Sequence, residues 1–267
     1  MKVCILFRFQ ALIALSTTLI VTLSGLASHD ARADDPVRIL KAMTEYLANQ
    51  KSLSASFESD IEVITPELQK IQFASSGEMK VSRPDKLRVR RTGGYADVEL
   101  IYDGKMMSLY GNNVRSYVQA DLPGTVDMAI DTVRSKLGVG IPGANFLLAN
   151  AYDDLMADVI DSKHIGAGVI DGVECEHLAF RGPDADWQIW IENGAQPLPR
   201  KYVITSKTLT GAPQYTLRMK DWKTDAQADT DAFVFKPPAG ATRVSIESDV
   251  VLEFDELPPG APIGARQ

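Results

Sequence analysis

Between Phe57 and Val118 apolar and polar residues alternate in run after run. Phe57, Ser59, Ile61 and Val63 alternate with Glu58, Asp60 and Glu62. After Thr65-Pro66-Glu67 the chain resumes at Leu68–Ala74. The pattern continues through Met79 and Val81, Leu87 and Val89, and Val98, Leu100 and Tyr102. Turn-forming residues separate the runs at Arg83-Pro84-Asp85, Gly93-Gly94, Asp103-Gly104 and Gly111-Asn112-Asn113. A period of two between such turns predicts consecutive hairpins, hence an antiparallel meander. A long meander with one apolar face must curl or be covered.

Two helical patterns supply the cover. Asp35 and Pro36 can open a helix in which Val37, Leu40, Met43 and Leu47 form a stripe ending near Gln50. After Leu122-Pro123-Gly124 the spacing turns helical again. Val126, Ala129, Ile130, Val133 and Leu137 share a face, with Asp127 in the first turn and Arg134 and Lys136 in the last. A second piece is expected from Pro142 with Phe146, Leu147, Leu148 and Ala151, and a short third one at Leu155 and Met156. Strands then resume at 163–170, 173–180, 187–192, 201–206, 214–220 and 233–235, with Asp171-Gly172 and Asn193-Gly194 as hairpin turns. In Trp187-Gln188-Ile189-Trp190-Ile191 only Gln188 is polar, so this strand is expected to be covered on both sides. The helices thus interrupt one sheet. The expected fold class is α+β: a long antiparallel meander whose apolar face is covered by helices.

The N-terminus predicts export. Lys2 and Arg8 precede an apolar run from Ala11 to Leu26, and Ala31-Arg32-Ala33 gives a small-x-small cleavage pattern. Cys4 precedes the apolar run, which argues against lipidation of a new N-terminus. The expected division is a signal peptide at 1–33, one domain at 34–247 and a proline-rich, disordered tail at 248–267, in a periplasmic protein. Cleavage would remove Lys2, Arg8 and Arg32 against Asp30 alone, taking a net charge of −7 to −9. An acidic chain without a basic block argues against nucleic acid and anionic membrane surfaces as partners. Cys175 would be the one remaining cysteine, so no intramolecular disulfide is expected.

Candidate chemistry is sparse. Gly138-Val-Gly-Ile-Pro-Gly143 fits a dinucleotide fingerprint by letter, but it follows a helix and contains Pro142, so it is expected to be a loop. Cys175 and His177 share one side of a strand, without an evident third or fourth metal ligand. Asp184, Asp186, Glu174 and Glu176 fit an acidic surface as well as a hydrolytic pair. Trp187, Trp190 and Trp222 can hold sugar rings or lipid chains, or pack within the core. Arg83 projects from a strand end closed by Pro84, where its donors can reach backbone carbonyls at a helix end.

The stretches Gly77-Glu-Met-Lys-Val-Ser-Arg-Pro-Asp-Lys-Leu87, Tyr102-Asp-Gly-Lys-Met-Met-Ser-Leu-Tyr110 and Phe233-Val-Phe-Lys-Pro-Pro-Ala-Gly-Ala241 resemble the periplasmic lipoprotein carrier and receptor family of the Lol system (LolA/LolB-like). Cys175-Glu-His-Leu-Ala-Phe180, Asp186-Trp-Gln-Ile-Trp-Ile-Glu192, Pro197-Leu-Pro-Arg-Lys-Tyr-Val-Ile-Thr205 and Pro213-Gln-Tyr215 are more similar to a predicted periplasmic family of unknown function that shares this fold. The resemblance spans residues 36–247. It implies an α+β fold, a curved, unclosed antiparallel β-barrel with an α-helical lid, whose apolar cavity accepts acyl chains, with Arg83 bonding lid backbone groups. The expected function is non-enzymatic binding of a hydrophobic or amphiphilic ligand, a lipid or a lipidated protein, by a monomer without cofactor or metal. The alternative is a protein-interaction module such as an envelope-stress regulator or chaperone, partnered by an envelope protein. Expected ligand and latch residues are Arg83, Met106, Ile130, Phe146, Leu147, Trp187 and Trp190.

Overall fold

A computed structural model of the protein describes residues 35–137, 143–225, 230–248 and 254. The predicted signal peptide, most of the Gly138–Gly143 loop and all of the tail except 248 and 254 lie outside these. The chain divides between Arg32 and Ala33 into two units.

Asp35 caps the first helix as its position suggests: its Oδ1 accepts from the Val37 N–H at 3.0 Å. The helix, α1 (Pro36–Asn49), buries Ile39, Leu40, Met43 and Leu47. Six antiparallel strands follow: β1 (Ser52–Ile64), β2 (Lys70–Ser82), β3 (Lys86–Gly93), β4 (Asp97–Tyr102), β5 (Met106–Gly111) and β6 (Ser116–Asp121). Every turn falls where the turn-forming residues predicted it. The lid segment comes next. Thr125 caps α2 (Val126–Thr132), which widens into a π-helical turn at Val133–Leu137. A 3₁₀ turn at Ala144–Leu147 and the short helix α3 (Ala151–Met156) complete the lid. The second helical piece is therefore one 3₁₀ turn, and Ala151 begins the third piece instead of ending the second.

Strands resume as β7 (Asp161–Ile170), β8 (Val173–Arg181), β9 (Ala185–Glu192), β10 (Pro199–Ser206) and β11 (Gln214–Thr224), and a two-residue strand β12 (Thr242–Arg243) follows near the C-terminus. All twelve belong to one sheet in the order β12-β6-β5-β4-β3-β2-β1-β11-β10-β9-β8-β7. β1 pairs with β11, which joins the two meanders into one surface, and among the described residues β12 is the one parallel neighbour, on β6. β7 and β12 end the sheet without meeting, so the barrel is unclosed. The lid lies on the concave face, where α1 packs against α3, β7 and β8.

Two expectations need correction. Phe233–Phe235 forms no strand; the chain there makes a 3₁₀ turn at Thr230–Phe233. Pro237 and Pro238 have no N–H to give a ladder, and the segment lies on the face of the sheet instead of its edge. Phe233 is buried, the Arg88 Nη1 donates to the Ala232 carbonyl at 2.8 Å, and the Phe235 ring lies 5.2 Å from that of Tyr117. On this convex side Ile101 of β4 and Ser108 of β5 are buried. The second correction concerns β9. Trp187, Ile189 and Ile191 enter the core, but Gln188 and Trp190 on the other face stay half-exposed, Gln188 bonded to His177 and Trp190 stacked on His177 over Gly168.

Candidate functional site

The concave face is built by alternation. Leu87, Val89 and Arg91 of β3 share one side, as do Val98 and Leu100 of β4 and Tyr215, Leu217 and Met219 of β11. With Phe57, Met79 and Leu109 they form the floor of an apolar cavity of about 100 Å³. The Phe57 ring lies over Gly77, where a Cβ would come within 2.4 Å of its Cζ, so β2 carries glycine there. The roof is the lid: Ile130, Val133, Ala144 and Leu147. The last wall is Phe254, fully buried, whose carbonyl accepts from the Arg91 Nη2 at 3.1 Å. Arg91 is the one charged residue among those lining the cavity.

The lid is tied to itself and to the sheet. Arg134 Nη2 donates to Asn145 Oδ1, and Asn145 Nδ2 donates to Asp154 Oδ2 at 2.6 Å. Asp127 Oδ2 accepts from the Ala149 N–H at 3.1 Å, which joins α2 to the start of α3. The Val126 N–H donates to the Pro84 carbonyl at 2.9 Å, docking α2 on the β2–β3 turn.

Of the residues expected at this site, Ile130 and Leu147 line the cavity. Phe146 is buried beside them in the lid, edge to face with Tyr202, and Trp187 stacks on Phe180 and reaches the same Tyr202. These two expected residues therefore meet through Tyr202, at the join of lid and sheet. Met106 is half-buried; its position opposes Leu109 in the alternation of β5 and puts it on the convex side. Trp190 is also convex, stacked on His177 with centroids 4.0 Å apart, with Lys201 Nζ 4.8 Å from its ring.

Arg83 stands beside the lid without the predicted bonds. Its Nε and Nη2 are buried and have no hydrogen-bond partner among the described residues. Burial holds its guanidinium below the usual arginine range, opposed by the charge of Asp127 in the first turn of α2. Among the described residues its lid partner is a carboxylate, acting by charge.

The other candidates serve the surface or the core. Cys175 is buried and its thiol donates to the Val173 carbonyl at 3.4 Å; burial pushes its pKa up. His177 Nε2 lies 2.9 Å from Gln188 Oε1, and His164 Nε2 lies 2.6 Å from Glu176 Oε2. Asp186 pairs with Lys207 at 3.2 Å. No group of three or more His, Cys, Asp or Glu suited to a metal occurs among the described residues.

Sequence reasoning passed over Arg91, Asp127 and Phe254. Arg91 was legible in principle, since it continues the Leu87–Val89 alternation onto the apolar face. Phe254 stands in a short acidic stretch where Leu252 and Phe254 alternate with Glu253 and Asp255, a signal too brief to mark a buried residue.

No curated protein sequence matches the chain. Among solved structures, an uncharacterized conserved protein from Thermus thermophilus is similar over 78% of this chain and 96% of its own, at 13% identity and a TM-score of 0.47. The lipoprotein LppX of Mycobacterium tuberculosis matches over 73% of this chain and 98% of its own, at 11% identity and a TM-score of 0.37. A LolA superfamily protein from Nitrosomonas europaea matches over 74% and 96%, at 12% identity and a TM-score of 0.35. A family model described as "Predicted periplasmic protein (DUF2092)" matches residues 37–247, nearly the span over which the motifs resembled such a family. The chain belongs to this family of predicted periplasmic proteins.

Proposed function

We propose that this protein is a non-enzymatic periplasmic binder of a hydrophobic or amphiphilic ligand, a lipid or the acyl chains of a lipidated protein. One observation carries the reading. The concave face of an open sheet presents an almost wholly apolar floor, and the chain devotes a separate helical segment to roofing it. Sites that enclose small molecules are concave, mainly apolar and furnished with few polar groups. The floor and roof here fit that description, with Arg91 and Tyr215 as the polar exceptions. The acyl chain would lie along β3, β4 and β11 under Ile130 and Leu147, and the lid would open to admit it.

The test is native mass spectrometry of the mature protein from a bacterial periplasm, with displacement of a fluorescent fatty acid in parallel. Bound lipid and saturable displacement are expected. Leu100→Phe, which enlarges a buried residue of the floor, should weaken the probe while the protein still folds. Absence of any lipid, together with failure of the probe to bind, would sink the proposal. A cellular effect that survives Leu100→Phe unchanged would favour a protein-interaction module instead.

A further inference from the structure

We propose that β7 pairs edge to edge with β7 of a second copy of this chain, joining two sheets into one across a two-fold axis at Ala167. The weak dimer so formed replaces the monomer expected from the sequence, and it does not depend on what the cavity binds.

The two ends of the sheet differ. At one end the two-residue β12 lies along β6, and so short a strand is a poor template for another chain. At the other end stands β7, ten residues long, with β8 as its one neighbour among the described residues. Native edges are commonly guarded by charge, proline or a bulge. Here Lys163 and the irregularity between His164 and Gly166 guard the first half of the strand. From Ile165 to Ile170 the chain reads Ile-Gly-Ala-Gly-Val-Ile, without charge or proline. Ile165 is 55% exposed and Val169 65%, apolar surface that folding of a single copy leaves in water.

The open edge has a definite hydrogen-bonding pattern. Asp171 and Gly172 have φ of 50° and 80°, the two positive values of a type I′ hairpin turn. A hydrogen-bonded pair closes such a turn, here Ile170 and Val173. Alternation makes Gly168 with Cys175 the next bonded pair, and leaves Val169 with Glu174 and Ala167 with Glu176 as the pairs between. The N–H and C=O groups of Ala167 and Val169 therefore point away from β8. A second, antiparallel β7 satisfies them when Ala167 faces its own copy. Ile165 then faces Val169 of the other copy on either side of the axis, for about six new hydrogen bonds.

The side chains suit the same register. Ala167 pairs with Glu176, and Glu176 with Ile191 of the core, so Ala167 and Val169 lie on the concave side. Pairing sets the exposed Ile165 and Val169 of the two copies against each other. On the convex side the paired stretch offers Gly166 and Gly168, which have no side chain to obstruct a neighbour. At each end of the stretch the exposed Lys163 of one copy comes to Asp171 of the other. The Asp171 side chain is 58% exposed with Arg218 Nη1 at 4.0 Å, which leaves room for a second cation. The axis is perpendicular to the sheet, so both concave faces, each with its lid, look to the same side.

The test is sedimentation of the mature full-length chain from about 1 to 300 µM. A single pair of strands makes a small interface, and a reversible dimer with a Kd of roughly 1–100 µM is expected. Val169→Lys puts a charge on the open edge, and Ala167→Pro removes an N–H that β8 does not use. Each should raise Kd by at least about tenfold. Lys163→Glu sets like charges together at both ends and should raise Kd by about threefold or more, and by less at high salt. A short bis-maleimide reads the register, with the native Cys175 buried and silent. Ala167→Cys, on the axis, should crosslink within the dimer. Lys163→Cys should not, because its two copies lie about 27 Å apart along the paired strands.

A chain that stays monomeric throughout the range overturns the proposal and leaves the edge to an extended segment of a different protein. A dimer that Val169→Lys leaves intact overturns it too, by placing the interface elsewhere. So does a dimer that crosslinks through Lys163→Cys and not through Ala167→Cys. Should Ala167→Pro fail to fold, Val169→Lys decides alone, since that side chain is exposed in the single copy.

Discussion

Phe146 of the lid and Tyr202 of β10 meet edge to face, with ring centroids 5.2 Å apart and planes at 71°. Tyr202 in turn meets Trp187 at 5.7 Å, and Trp187 stacks on Phe180 at 3.9 Å. Four rings thus run from the sheet into the lid, and Phe146 is the one the lid contributes. Phe146→Ala should cost about 3–5 kcal/mol, as for a fully buried phenylalanine. A double-mutant cycle with Tyr202→Leu should assign about 0.5–1.5 kcal/mol of that to the ring pair. Urea midpoints of the four proteins measure it, and a coupling near zero would mean that the rings merely share a cavity.

Most of the fold was written in the two periodicities. Alternation gave β1 to β11, and the helical stripes gave α1 and α2, because one buried face imposes its period on a long element. What failed was short or unperiodic. Phe233-Val-Phe has the alternation of a strand, but its prolines and its position on a face made it a strap. Met106, expected among the ligand residues, lies on the convex face, since one residue of register decides the side. Of the site, Ile130 and Leu147 could be named from the amphipathic lid. Phe254 could not, since the brief alternation of Leu252-Glu253-Phe254-Asp255 does not say which surface the chain reaches after β12.

His177 gives the protein a dependence on mild acid. Its ring stacks on Trp190, bonds to Gln188 and lies near Lys201 and His164. Burial first, and the charge of Lys201 in smaller part, hold its pKa below 6.5, against the opposing bond to Gln188. The folded protein then keeps His177 neutral where the unfolded chain is protonated. Unfolding takes up a proton, so this contribution is full above about pH 6.5 and is lost as pH falls from there through the folded pKa. His177→Phe keeps a stacking ring and removes the titration. The native chain should lose more thermal stability than this variant between about pH 7.5 and pH 5.5. Equal losses would remove His177 from the account.

Cys175 should be chemically silent in the folded state. It is 1% exposed, bonded to the Val173 carbonyl, and its raised pKa keeps it as the thiol. Reaction with a thiol reagent requires the thiolate and access to it. The rate in native buffer should be at least about a hundredfold below that in denaturant, because β8 must open first. Rapid native labelling would mean that β7, the outermost strand, detaches on its own.

Arg83 and Asp127 offer the clearest handle on the lid. The arginine is buried with two of its donor nitrogens unbonded, which is costly, and Asp127 offsets part of that cost by charge. Arg83→Leu removes both the cost and the attraction. Thermal stability should therefore change little, whereas the lid loses a tie that acts only when α2 sits against the β2–β3 turn. With the lid freer, probe dissociation should quicken by roughly tenfold, the equivalent of about 1.4 kcal/mol. Arg83→Lys keeps the charge on a different stem and should fall between. Asp127→Asn should also quicken release. It removes the charge facing Arg83 and weakens the bond to the Ala149 N–H. If the pair acts as one tie, Arg83→Leu combined with Asp127→Asn should release the probe little faster than the worse single variant. Fully additive effects would show that the two residues hold the lid separately, and an unchanged rate in Arg83→Leu would make Arg83 no more than part of the turn.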